Sequence, residues 1–398
     1  MKEEIMKKSH RTLRMGTIAT ILFLVLGITV SDAQDDFEKW LQQDQAAFKE
    51  FSIADAKAFA AYEKADKEAF KKFQKEIEDK WRTFVDSDKK TWVEYGKDKN
   101  SRSVVDFEEG KATVEVLVTP EEAKDPKIVE KKVTEAVTEL VTTKGQTKDY
   151  AIPQEKPKPL KPAPVLKDQV ETASGKKVTP SNAKEFAKEV VQKQAPVQEK
   201  VTGKDNRPRV KVKVEFPLAP NSLQTRAKEV SPHVNQFASK YKLPQELVFA
   251  VIHTESAFNP KAKSHIPAFG LMQIVPKFAG RDVHQFLFKK DGIPLPNYLY
   301  TEKNNIEMGS VYLHILETRY FKDITDPRSR QLCMIAAYNT GAGNVAKAFT
   351  GTTSPKKATP LINKMSYEKV YDTMKKKLPY KETQDYIERV TTRMALYK

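Results

Sequence analysis

Leu247-Val248-Phe249-Ala250-Val251-Ile252 runs without a break into His253-Thr254-Glu255-Ser256. Pro244 stands where a helix starts, and Pro260 stops it. The sequence therefore predicts a helix whose last turn carries a carboxylate. Six apolar residues precede Glu255, and the carboxyl end of a helix sets partial negative charge beside it. Both influences disfavour the ionised form and raise the pKa. A general acid needs that property to hold its proton near neutral pH. An ordinary surface glutamate would fit the same helix, so this segment alone leaves two readings open.

From Leu223 onward the pattern is helical. Downstream of Glu255, Phe258-Asn259-Pro260-Lys261-Ala262-Lys263-Ser264 leads to Gly270-Leu271-Met272-Gln273. Asn305-Ile306-Glu307-Met308-Gly309 follows, then Ala336-Ala337-Tyr338-Asn339-Thr340-Gly341-Ala342-Gly343, and finally Glu382-Thr383-Gln384-Asp385-Tyr386. This ordered set resembles the lytic transglycosylases, bacterial enzymes with a goose-type-lysozyme-like fold that cleave peptidoglycan. The segment from Arg102 to Asp106 with its hairpin, and the chain over 164–226, are similar to the amino-terminal module of the membrane-bound lytic murein transglycosylase C branch. The resemblance covers residues 92–398.

What it implies falls on particular residues. Glu255 matches the single catalytic glutamate, acid first and base second. Ser264 matches a serine that orients the N-acetyl group or the leaving sugar. Met272 and Gln273 would line the cleft, Tyr338 and Asn339 would support Glu255 and substrate, and Tyr386 matches a cleft tyrosine near the glutamate. Each also has a structural reading: Met272 as packing, Tyr338 as a cap on the core. One acid suffices in such enzymes because the substrate supplies the rest. Most glycosidases need two carboxylates. Here the N-acetyl oxygen would stabilise the oxocarbenium-like centre and the muramyl 6-hydroxyl would close a 1,6-anhydro ring. No second acid stands near the Glu255 motif in sequence, although a distant one could converge in space.

Composition limits the remaining classes. The chain has 398 residues and a formal charge of +16, of which residues 221–398 hold +12 (27 Lys and Arg against 15 Asp and Glu). A cationic cleft concentrates a carboxylate-bearing wall polymer. No nucleic-acid motif accompanies the charge. The 39% hydrophobic content lies below the roughly 45–50% of compact domains, a benchmark that counts glycine, so part of the chain is expected to be extended or loosely packed. One cysteine, Cys333, excludes an internal disulfide framework and sits in an apolar run as inert core. The six histidines show no metal-ligand spacing, and no cofactor is expected.

The amino end reads as an export signal over 1–33: Lys7, Lys8, Arg11 and Arg14, an apolar run over 15–30, then Ser31-Asp32-Ala33. An uncleaved anchor is the competing reading. Either way the chain is expected outside the cytoplasm, periplasmic or held at the membrane by that helix. The cysteine that the family's membrane-bound member lipidates after its signal is missing.

Residues 34–98 repeat every 11 positions: Phe37, Phe48, Phe59, Phe70, Trp81, Trp92, and three residues later Trp40, Phe51, Tyr62, Phe73, Phe84, Tyr95. Eleven residues over three turns keep both rings of each pair on one slowly drifting helix face. The expectation is one helix over 37–95, roughly 88 Å long, folded back, self-associated, or docked on another envelope protein. Residues 99–218 then read as a small α+β module: a hairpin around Glu108-Glu109-Gly110, a helix opening at Pro120, a Pro/Lys-rich loop over 153–164, a helix over 183–192 and a strand over 210–216. The expected architecture is thus an α-helical lysozyme-like catalytic domain over 219–398, preceded by this module and a long helical segment. Two alternatives remain open: a lysozyme-type hydrolase, and a non-catalytic wall-binding scaffold. The bulky Ser264-His265-Ile266-Pro267-Ala268-Phe269 departs from the family's Gly/Ala-rich approach to Gly270, so the cleft rim is expected to differ.

Overall fold

The computed structural model describes residues 53–264 and 267–398. The export signal and the first third of the aromatic repeat lie outside the described residues. The described chain opens with β1 (Ile53–Ala54) and a helix, α1 (Ala56–Trp81), whose first turn is capped by the Asp55 carboxylate accepting from the Ala58 amide at 2.7 Å. The helix ends at Trp81, because Arg82 takes φ 67° and ψ −40°.

This corrects the expected continuous helix through Tyr95. Trp92 and Tyr95 lie on a strand, β2 (Thr91–Tyr95), and Phe84 lies in the connecting loop. Local side-chain bonds give that loop an alternative to helix. The Asp88 carboxylate accepts from the amides of Lys90 and Thr91, both at 2.7 Å. The aromatic positions meet all the same. Phe73 and Trp81 on the helix contact Tyr95 edge-on at 5.8 and 6.3 Å, and Phe84 stacks on Tyr95 at 6.0 Å. Phe73, Trp81 and Tyr95 are buried on one face of the sheet and Trp92 on the other, while Phe59 packs on Ile293, so these positions are covered by the protein itself.

β2 begins a five-stranded antiparallel sheet completed by β3 (Ser101–Asp106), β4 (Lys111–Val118), β5 (Val197–Thr202) and β6 (Pro208–Pro217), in the order β2-β3-β4-β6-β5. Strand alternation sorts its two faces. Trp92, Val114, Val116 and Val118 face α2 (Pro126–Thr142) and α3 (Ala183–Lys193), while Val93, Tyr95 and Leu117 face Trp81 and Phe73 of α1. α2 starts at Pro126 and not at Pro120. Proline suits the first helical position, and Asp125 caps it by accepting from the Lys127 amide at 2.9 Å.

The remainder is helical: α4 (Ser222–Tyr241), α5 (Gln245–Ser256), α6 (Arg281–Phe288), β7 (Ile293–Pro294, paired with β1), α7 (Pro296–Leu299), α8 (Glu302–Ile315), α9 (Pro327–Thr340), α10 (Ala342–Thr350), α11 (Pro355–Ile362), α12 (Tyr367–Lys377) and α13 (Lys381–Met394). Every residue of α5 from Leu247 to Ser256 is buried, so this helix is the axis of the domain. Arg226 on α4 joins the two modules. Its guanidinium donates to the carbonyls of Ala257 (3.1 Å) and Phe107 (2.9 Å) and to Gln169 Oε1 (3.0 Å). The helical domain and the preceding α+β module agree with the expected architecture.

Candidate active site

Glu255 is the penultimate residue of α5 and is 5% exposed. The chain leaves the helix through two left-handed residues, Ala257 (φ 48°) and Phe258 (φ 61°). The last carbonyls do not face bare protein: Arg393 of α13 donates to the His253 carbonyl at 3.0 Å. His253 itself is held neutral, its pKa pushed down to about 4 by burial and then by Arg393. Burial acts in the opposite sense on the acid. Desolvation raises the Glu255 pKa, against partial relief from Lys89, the Tyr386 phenol and Arg389, while Glu382 adds to the rise.

Opposite this carboxyl stands the turn Gly270-Leu271-Met272-Gln273, fixed by a small set of buried polar bonds. The Ser256 hydroxyl donates to the Leu271 carbonyl at 2.8 Å and so ties the catalytic-candidate helix to the turn. Asn305 on α8 accepts from the Met272 amide at 2.7 Å and donates to the carbonyls of Phe269 (2.8 Å) and Leu299 (2.7 Å). A Cβ at Gly270, where φ is +76°, would come within 2.3 Å of both the Leu299 oxygen and the Asn305 amide nitrogen. One turn along α8, Gly309 leaves room for Met272, whose sulfur would lie 2.2 Å from a Cβ there.

The expected site residues divide by what they touch. Tyr338, from the end of α9, donates its hydroxyl to the Met272 carbonyl at 2.8 Å, and its phenol senses the Glu255 charge. Tyr386, 2% exposed on α13, senses the same charge without closing a hydrogen bond of regular geometry among the described residues. Burial first, and then Glu255, push both phenols well above the ordinary tyrosine range. Gln273 (φ +49°) donates Nε2 to the Gly270 carbonyl at 2.9 Å, and its buried Oε1 has no partner among the described residues. Met272 is fully buried, with its side chain packed on Gly309 and its backbone serving as the hub of the turn. Asn339 accepts from the Thr383 hydroxyl at 2.6 Å, which joins α9 to α13 one turn before Tyr386. Ser264 is half-buried on the loop leading to the turn, its amide donating to Ala268 at 3.2 Å.

Three contributors carried no role in the sequence. Asn305 and Gly309 belong to a segment that carries the resemblance, with no function assigned to either. Lys89 comes from the loop between α1 and β2, and it forms an ion pair with Glu382 at 3.0 Å. Nothing in a sequence places a residue of the first module beside an acid that follows it by so much chain.

A buried carboxyl whose charge is felt by two buried phenols, in the last turn of the central helix of a helical domain, is the candidate active site. The family models identify the class: residues 232–360 match the transglycosylase SLT domain, and residues 51–229 match the amino-terminal domain of membrane-bound lytic murein transglycosylase C. A relative named membrane-bound lytic murein transglycosylase C from Cronobacter sakazakii is 32% identical over 312 residues, covering 78% of this chain and 82% of that one. One of the same name from Photorhabdus laumondii is 42% identical over 179 residues, 45% of this chain and 49% of the relative. The 70 kDa soluble lytic transglycosylase of Escherichia coli matches 42% of this chain and 24% of its own at 25% identity, with a TM-score of 0.32. The chain belongs to the membrane-bound lytic murein transglycosylase C family and is an enzyme of the lytic transglycosylase class.

Proposed function

We propose that this protein cleaves the β-1,4 bond between N-acetylmuramic acid and N-acetylglucosamine in peptidoglycan, with Glu255 as sole acid and base. Protonated Glu255 gives its proton to the glycosidic oxygen as the bond to the muramyl anomeric carbon breaks. The substrate's N-acetyl oxygen stabilises the cationic centre. The carboxylate then takes the proton of the muramyl 6-hydroxyl as that oxygen bonds to the anomeric carbon, closing the 1,6-anhydro ring and restoring the acid. The observation that carries this reading is the burial of Glu255, which raises its pKa and so favours the protonated starting state. Tyr386 is suited to limit the charge left on Glu255 by the first step, while Tyr338, its hydroxyl donated to Met272, would hold the turn in place. Ser264, Gln273 and Asn339 would hold the sugars, and Met272 would shape the turn beneath them.

The substrate requires an exported enzyme, which the cationic leader and apolar run over 1–30 would provide. Among the described residues, no helix is long and apolar enough to cross a membrane. Glu255→Gln tests the assignment. Its turnover of purified sacculi is expected to fall at least about a hundredfold, while sedimentation with sacculi persists. Turnover close to that of the parent protein would remove Glu255 from the mechanism.

A further inference from the structure

The loop over 82–90 belongs to the first module yet is anchored on the second. The Asn259 side chain, buried four residues beyond Glu255, donates to the Asp88 carbonyl at 3.3 Å, and the Lys263 amide donates to the same oxygen at 3.3 Å. With Asp88 also holding the Lys90 and Thr91 amides, the backbone at Lys89 is fixed and only its side chain is free to move. That side chain reaches across to Glu382, and the two side chains are 36% and 60% exposed. Glu382, Tyr386 and Arg389 recur at i, i+4 and i+7 on α13, so they share one face. The neighbouring cations Lys90 and Arg393 are engaged, since both pair with Glu108 at 2.7 and 2.6 Å. Arg389 is exposed and has no ion pair among the described residues.

We propose that Lys89 and Arg389 form an anion subsite on the exposed side of α13 next to Tyr386 and that its ligand is a carboxylate carried by the glycan strand. An exposed pair such as Lys89–Glu382 contributes little to stability, so Lys89 exchanges Glu382 for a substrate carboxylate at small cost. The Lys89–Glu382 pair and the shared face of Glu382, Tyr386 and Arg389 set both cations around the same end of α13 as Tyr386. The subsite rests on the function proposed above, and it makes the first module part of the substrate-reading surface.

Equilibrium binding of the full chain in the Glu255→Gln background separates the two ideas, because it needs no turnover. The probe is soluble peptide-bearing glycan strands, used native, with carboxylates converted to methylamides, or stripped of peptide so that only the lactyl carboxylate remains. Lys89→Met with Arg389→Met is expected to raise Kd about tenfold on native strands and to leave Kd unchanged on methylamidated strands. Lys89→Arg should restore most of the loss when Arg389 is kept. The lactyl carboxyl is amide-bonded to the peptide in native strands, so disappearance of the effect on stripped strands assigns a peptide carboxylate, and its persistence there shows that the newly freed lactyl carboxylate can fill the same subsite. Equal Kd for variant and parent on native strands, or equal weakening on methylamidated ones, overturns the subsite. If the parent background binds no strand at all, the proposed function itself fails.

Discussion

Glu255 is an acid whose protonation is controlled by position more than by any single partner. Burial raises its pKa, and Tyr386 is among the groups that pull it back. Tyr386→Phe removes that relief, so the Glu255 pKa moves further up. A general acid is lost as pH rises through its pKa, so the alkaline limb of the kcat profile should shift to higher pH while kcat falls. An unchanged limb in a pH series on sacculi would show that the phenol does not act on the acid. The apolar run before Glu255 made its proton retention legible in the sequence. Tyr386, Tyr338 and Gln273 could be reached only through resemblance, because their convergence depends on Ser256, Asn305 and the glycine at 270, all acting across separate helices. Met272, expected to line the cleft, is fully buried and packed on Gly309.

At the scale of elements, periodicity was a sound guide to which residues are buried and a poor one to where a helix stops. The 11-residue spacing put Phe59, Tyr62, Phe73, Trp81, Trp92 and Tyr95 on a common stripe, and all six are buried. A strand alternating every second residue satisfies the same demand, which is why Trp92 and Tyr95 keep their burial after the helix has ended. The break lies in backbone conformation. Arg82 occupies a positive-φ region that glycine tolerates far better than a residue with a Cβ. Arg82→Gly should therefore raise stability by up to about 1 kcal/mol, read as a higher urea midpoint at constant slope. A lower midpoint would mean that the arginine side chain, not the backbone, holds this corner. The hairpin, the two helices of the α+β module and the Pro/Lys-rich loop were legible because turn and breaker residues mark them. β5 was missed: its residues are almost wholly exposed and lack an apolar alternation.

The two modules of the whole molecule are joined by buried charge. Lys261, six residues past Glu255, pairs with Asp149 at 2.8 Å, and Glu94 of β2 lies in the same field. Burial raises the Glu94 pKa to about 7, with Lys261 opposing and Asp149 reinforcing. The native protein thus keeps a proton that the unfolded chain releases near pH 4.5, and stability is lost as pH rises from there through about 7. Glu94→Gln removes this penalty, on the order of 3 kcal/mol as an upper bound. Chemical denaturation at pH 5 and pH 8 should show the parent losing stability relative to the variant at the higher pH. A difference that does not change with pH would contradict the burial of an ionisable Glu94. Such cross-module pairing was not legible in composition or spacing, since Asp149 and Lys261 belong to different modules and Asp149 carries no motif.

The proposed mechanism makes one chemical claim above the others, release of the strand without consumption of water. Mass analysis of the muropeptides released from purified sacculi tests it most directly. Products ending in 1,6-anhydromuramic acid, one water lighter than the hydrolysed species and absent with Glu255→Gln, are the predicted result. Muramic acid with a free reducing end as the main product would contradict it.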